Sequence, residues 1–178
     1  MLRPFNCSPP AVKVAFVFFV VCSVAFGQSP PLETIKLEAI KKDVGSVQNA
    51  VDQIINAIVP GFGLLQDAKG AYLEGYGIVV NVEVALERPR NPFSGIQTPG
   101  EIRTAVNARR KELTEKMSGL LKQKIATLDS LGSSESVAVI ANLLNTNPAD
   151  LPDLPAQIVF SLRKQDAQSG RVNIREYK

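Results

Sequence analysis

The sequence predicts an α+β domain: a small three-stranded sheet covered by a long amphipathic helix, with an additional N-terminal helix. Three observations carry this. Leu37, Ile40, Val44, Val47, Val51, Ile54 and Ile58 recur at spacings of three and four, which is one apolar stripe on a helix. Residues 76 to 87 alternate with a period of two and are rich in valine, the pattern of a strand with one covered face. Thr98-Pro99-Gly100-Glu101 is a capping box with proline at the first helical position.

The elements follow in the order α-β-α-β-β. Residues 33–59 form the first helix, which Pro60-Gly61 ends by proline block and glycine cap. Residues 60–75 are glycine-rich and read as a connector. In the strand over 76–87, Ile78, Val80, Val82, Val84 and Leu86 share one face, while Asn81, Glu83 and Glu87 share the other. Prolines 89 and 92 stop it, because proline cannot donate to a ladder. Thr98 caps a helix over 98–131 that carries Ile102, Val106, Leu113, Met117, Leu121, Ile125 and Leu128 and ends before Gly132. The apolar run 136–145 and the segment 157–165 are the other strands. The proline-rich stretch between them is too long for a tight hairpin. These two strands pair antiparallel, and the crossover through the long helix makes the first two parallel. Residues 166–178 read as a polar tail.

The N-terminus differs from the rest. Val14 to Phe26 is uncharged, Arg3 and Lys13 precede it, and no acidic residue occurs before Glu33. A basic start, a short apolar run and a small-residue exit define a secretory signal, placed at residues 1–27 with cleavage after Gly27. The run falls short of the roughly 20 apolar residues that span a bilayer. The expected product, residues 28–178, is therefore one exported domain without an integral membrane segment, periplasmic or secreted and of bacterial type.

That partition sets the available chemistry. Both cysteines, Cys7 and Cys22, lie in the leader, and the chain has no His or Trp. Residues 28–178 thus lack the groups for Ser-His-Asp or Cys-His triads, thiolate nucleophiles and zinc sites with nitrogen or sulfur ligands. No cofactor and no metal site is expected. Removing Arg3 and Lys13 leaves 18 basic residues against 17 acidic, a net charge of +1. A nucleic-acid binder shows a strong clustered basic excess, so no nucleic-acid partner is expected.

Two groups of side chains remain as binding candidates. Tyr72 and the Tyr76 of Gly75-Tyr76-Gly77 either pack at the sheet edge or form a ligand lip. Arg88, Arg90 and Arg103, extended by Arg109, Arg110 and Lys111, could gather into an anion patch, since guanidinium suits bidentate carboxylate or phosphate contact. The leading functional expectation is a non-catalytic module acting through contacts with a protein partner in the cell envelope or outside it. The alternative is a small-ligand or anion binder using these Tyr and Arg side chains. A carboxylate-based hydrolase ranks last: Glu112 and Glu115, its nearest carboxylate pair, lie among Lys and Arg on a solvated face. A monomer is favoured, with helix-mediated dimerisation through the Leu37–Ile58 stripe as the alternative.

Overall fold

The computed structural model describes residues 32–89, 97–146 and 148–178, with side chains from residue 36 onward. The signal segment 1–27 and Arg90 lie outside the described residues. Seven main elements follow one another: α1 (Leu32–Ile58), β1 (Leu64–Leu73), β2 (Gly77–Ala85), α2 (Pro99–Ile125), β3 (Ser136–Leu144), β4 (Gln157–Arg163) and β5 (Asn173–Tyr177), with a short 3₁₀ turn at Lys164–Asp166.

The domain is α+β, but the sheet has five strands and not three, in the spatial order β1-β2-β3-β4-β5. Two corrections account for the difference. The connector expected at 60–75 contains β1, which pairs antiparallel with β2 from Leu64↔Val84 to Leu73↔Gly77. The polar tail expected at 166–178 contains β5, antiparallel to β4 through Ile158↔Glu176 and Phe160↔Ile174. The expected relations among the other strands hold. β2 and β3 are parallel, with Val80 opposite Val139, and β3 and β4 are antiparallel, with Val139 opposite Phe160.

The first helix is also more than an addition. Val47, Val51 and Ile55 of α1 are fully buried in the same core as Val106, Leu113, Met117 and Leu121 of α2. Ile55, and not Ile54 of the sequence stripe, takes the innermost place, while Leu37 stays half exposed. Both helices meet the sheet face formed by Ile78, Val80, Val82 and Val84 of β2, Val137, Val139 and Ala141 of β3, and Ile158, Phe160 and Leu162 of β4. Full burial of each Val, Leu, Ile or Phe side chain among them contributes about 1.5–3 kcal/mol. The opposite face carries an amide ladder: Asn142 Nδ2 donates to Asn81 Oδ1 (2.6 Å), and Gln157 Nε2 donates to Asn142 Oδ1 (2.9 Å).

Local chemistry explains the element ends. Thr98 Oγ1 accepts from the Glu101 amide and the Glu101 carboxylate accepts from the Thr98 amide, so the capping box forms as the sequence dictates. These bonds from Thr98 backbone and hydroxyl hold the Glu101 carboxyl below its ordinary range. The helix stops at Ile125 and not 131. Leu128 and Leu131 remain buried, but in turns whose carbonyls both accept from Lys164 Nζ, at 2.7 and 2.9 Å. β1 is irregular at Gln66–Lys69, and α1 side chains serve its backbone there. The Ala68 amide donates to Asp52 Oδ1 (2.9 Å), and the Ala68 carbonyl accepts from Gln48 Nε2 (2.7 Å). Gly70 lets α1 approach closely, since a Cβ there would lie 2.7 Å from Val44 Cγ1.

Candidate ligand-binding groove

Parallel strands end together, and the carboxyl ends of β2 and β3 bring three separate segments to one place. The Ala85 amide donates to the Gly63 carbonyl (2.8 Å), which ties the α1–β1 connector to the end of β2 and sets Phe62 beside the outgoing chain. Leu86 is fully buried, and its carbonyl accepts from Arg109 Nη1 of α2 (2.7 Å). Arg88 follows on the exposed rim.

The two guanidiniums share one aromatic ring. The Cζ of Arg88 lies 5.7 Å from the Phe62 ring centroid, and that of Arg109 lies 5.5 Å from it, both within cation–π range. Neither forms an ion pair among the described residues. Burial, followed by the field of Arg88, pulls the Arg109 guanidinium below its ordinary pKa. Glu87 is the adjacent carboxylate, and it is turned toward β3, where its Oε2 accepts from Thr146 Oγ1 (2.8 Å). Among the described residues the local balance is thus two cations against one anion.

Two connected spaces open around this pair. A narrow cleft of about 40 Å³ runs between the chain after β2 and the first half of α2, lined by Glu87, Arg88, Ile102, Val106 and Arg109. A wider groove of about 410 Å³ shares Glu87 and Arg88 with it and continues over Phe62, Leu65, Ala85 and Leu144. Leu65 and Leu144 are 43% and 45% exposed, high for large apolar side chains, and they flank the small, buried Ala85. The groove therefore has a cationic end and an apolar trough. Sites of a few hundred Å³ with apolar walls and few polar groups are the usual form of small-molecule pockets, and the carboxyl ends of parallel strands are their usual place in open sheets.

The expected site residues separate into distinct groups. Tyr72 and Tyr76 lie at the opposite end of β2 from Arg88, about 30 Å away along the strand at its ordinary rise, so the tyrosines and arginines form no common site. Tyr76 belongs to the β1–β2 turn, where its amide donates to the Leu73 carbonyl (3.0 Å) and Gly75 and Gly77 both take positive φ. The Tyr72 hydroxyl donates to Glu135 Oε1 (2.6 Å). Arg103 is bound to the Asp150 carbonyl through Nε and Nη2, at 3.4 and 3.2 Å, and holds the loop after β3. Arg110 makes a two-point contact with the Glu176 carboxylate on β5, at 3.2 and 2.5 Å. Among the described residues of the wider arginine group, only Arg88 and Arg109 meet. Glu112 pairs with Lys116 one turn away (2.8 Å), and among the described residues no group of three His, Cys, Asp or Glu side chains could hold a metal.

Phe62, Leu65 and Leu144 were not singled out by the sequence. The signal for Phe62 was a lone aromatic between glycines, in a segment read as connector. Recognising β1 would have placed it at the end of β2. No family model, no curated protein and no solved structure matches the chain.

Proposed function

We propose that the domain is a non-catalytic binding module that captures an organic anion in the groove at the carboxyl ends of β2 and β3. The observation that carries this reading is the Arg88–Phe62–Arg109 arrangement. Two like charges are held on one ring with no carboxylate ion-paired to either among the described residues, and one of them, Arg88, lines the apolar trough. Bringing two guanidiniums together costs Coulomb energy that an anion between them reverses, and a guanidinium already seated on an aromatic ring is pre-organised for bidentate contact.

The test is the melting temperature of the purified protein against short organic anions, acetate and benzoate among them. A ligand at a hundred times its Kd stabilises by about 2.7 kcal/mol, or about 6 °C for a domain of this size. The shift is expected in the native chain and in Arg103→Gln, and it is expected to vanish in Arg88→Gln. If no anion moves the transition, or if Arg88→Gln responds like the native chain, the reading is wrong.

We propose further that the module acts after export, in the cell envelope or beyond it. The support is the basic, then apolar, then small-residue pattern of residues 1–27. Among the described residues no helix is long and apolar enough to cross a membrane. N-terminal sequencing of the protein from its own cells is expected to begin at Gln28. A product beginning at Met1 would contradict export by cleavage.

A further inference from the structure

Resting on the binding reading above, we propose that the ligand is a free single-chain monoanionic amphiphile: one carboxylate head between Arg88 and Arg109, and one alkyl tail in the Leu65–Ala85–Leu144 trough. Charge decides the head. Among the described residues, Arg88 and Arg109 face the cleft together with Glu87, which leaves one positive charge in excess. A single carboxylate balances that excess, whereas a phosphate monoester would add an uncompensated negative charge beside Glu87. The cleft of about 40 Å³ is sized for the head alone.

Shape decides the tail. Ala85 lies opposite Leu144 in the β2–β3 register, and Leu65 comes from the irregular start of β1 on the other side of β2. Two leucines with a small residue between them make a trough with low floor and high walls. It crosses three strands, a width of about 10 Å from ordinary strand spacing. Such a trough fits one unbranched chain. Arg88 and the Phe62 ring line the same groove, and Arg88 with Glu87 also lines the cleft, so head and tail sites share a wall. Both leucines are exposed at 43% and 45%, and a seated tail would cover them.

Calorimetric titration of the purified protein with hexanoate, octanoate and decanoate below their micelle concentrations tests this. Affinity is expected to rise about fourfold per added methylene, as burial of successive CH₂ groups requires. Arg88→Gln is expected to lose at least tenfold for every chain length. Leu144→Asn, at an exposed position, is expected to flatten the chain-length dependence while its melting temperature stays within a few degrees of the native value. If all three acids bind through Arg88 with equal affinity, the amphiphile proposal fails and the binding reading stands. If none binds and no short anion binds either, both fail. Octyl glucoside binding as tightly as octanoate would remove the role of the charge and overturn the proposal. So would flotation with phosphatidylglycerol vesicles in the absence of alkanoate binding, which would assign the groove to a membrane surface.

Discussion

The Tyr72 hydroxyl donates a 2.6 Å hydrogen bond to Glu135 Oε1, joining the end of β1 to the residue just before β3, 63 positions later. The same carboxylate accepts from the Gly132 amide through Oε2 (2.7 Å). Through Glu135 the β1 edge is tied to the loop that follows α2. The bond from Tyr72, then that from Gly132, with a smaller contribution from Lys36, hold the Glu135 carboxyl below its ordinary value. The bond to Glu135, with burial and the charges of Glu135 and Glu74, raises the Tyr72 hydroxyl above its own.

Tyr72→Phe is expected to cost about 1 kcal/mol, the net worth of one such hydrogen bond at a partly exposed site. The pH dependence has a definite sign. A carboxyl whose folded pKa is depressed contributes stability above its unfolded value, and that contribution is lost as pH falls through the folded value. A hydroxyl whose folded pKa is raised contributes below its unfolded value, and that contribution is lost as pH rises through the folded one. Urea denaturation should therefore show a constant gap between native and Tyr72→Phe protein from about pH 6 to pH 9, narrowing below about pH 4. A gap independent of pH down to acid would contradict the pairing.

The two glycines of the β1–β2 turn are expected to differ. Gly75 has φ +77° with nothing near its would-be Cβ, so Gly75→Ala carries only the backbone penalty, about 1 kcal/mol. Gly77 has φ +116°, and a Cβ there would lie 2.1 Å from the Ser136 carbonyl oxygen of β3. Gly77→Ala must therefore displace the first β2–β3 pair, and it is expected to cost at least about 3 kcal/mol or to prevent folding. Denaturation midpoints of the two variants check the order. Equal effects would contradict the close approach of β2 to β3.

These residues also show what could be read from the chain alone. The helices were legible because each had a strong local signal: the three-and-four stripe of α1, and the Thr98–Glu101 cap of α2. β2 was legible because Ile78, Val80, Val82 and Val84 all bury on one face between two other strands. β1 and β5 are the sheet edges. Every residue of β5 is exposed, so no apolar alternation marks it, and pairing with β4 makes it a strand. β1 contains Gly70 and an irregular stretch at Gln66–Lys69, which break the period of two. The chain offered Arg88, Arg90, Arg103, Arg109, Arg110 and Lys111 as one possible patch. Which of the described arginines meet was not legible, because partners distant in sequence decide it: the Asp150 carbonyl for Arg103, Glu176 for Arg110, and Phe62 for Arg88 and Arg109.

Lys164 holds the turn that follows α2 and makes a further prediction. Its ammonium group bonds the Leu128 and Leu131 carbonyls in the turn that follows the helix. Lys164→Met keeps the apolar stem but leaves both carbonyls without this donor. The expected loss is about 2 kcal/mol, in the range for hydrogen bonds to a charged group, read as a shift in urea midpoint. A shift under a few tenths of that would mean the turn is held by its leucines alone.

The proposed ligand site is the Arg88–Phe62–Arg109 end of the sheet and not the tyrosine end. The most direct measurement is a two-dimensional proton–nitrogen NMR titration with octanoate, following the guanidinium Nε–H signals of assigned arginines. Saturable shifts are predicted for Arg88 and Arg109, with Arg103 and Arg110 unmoved and the backbone amides of Tyr72 and Tyr76 unchanged. Shifts confined to Tyr72 and Tyr76, or no saturable shift at either arginine, would contradict it.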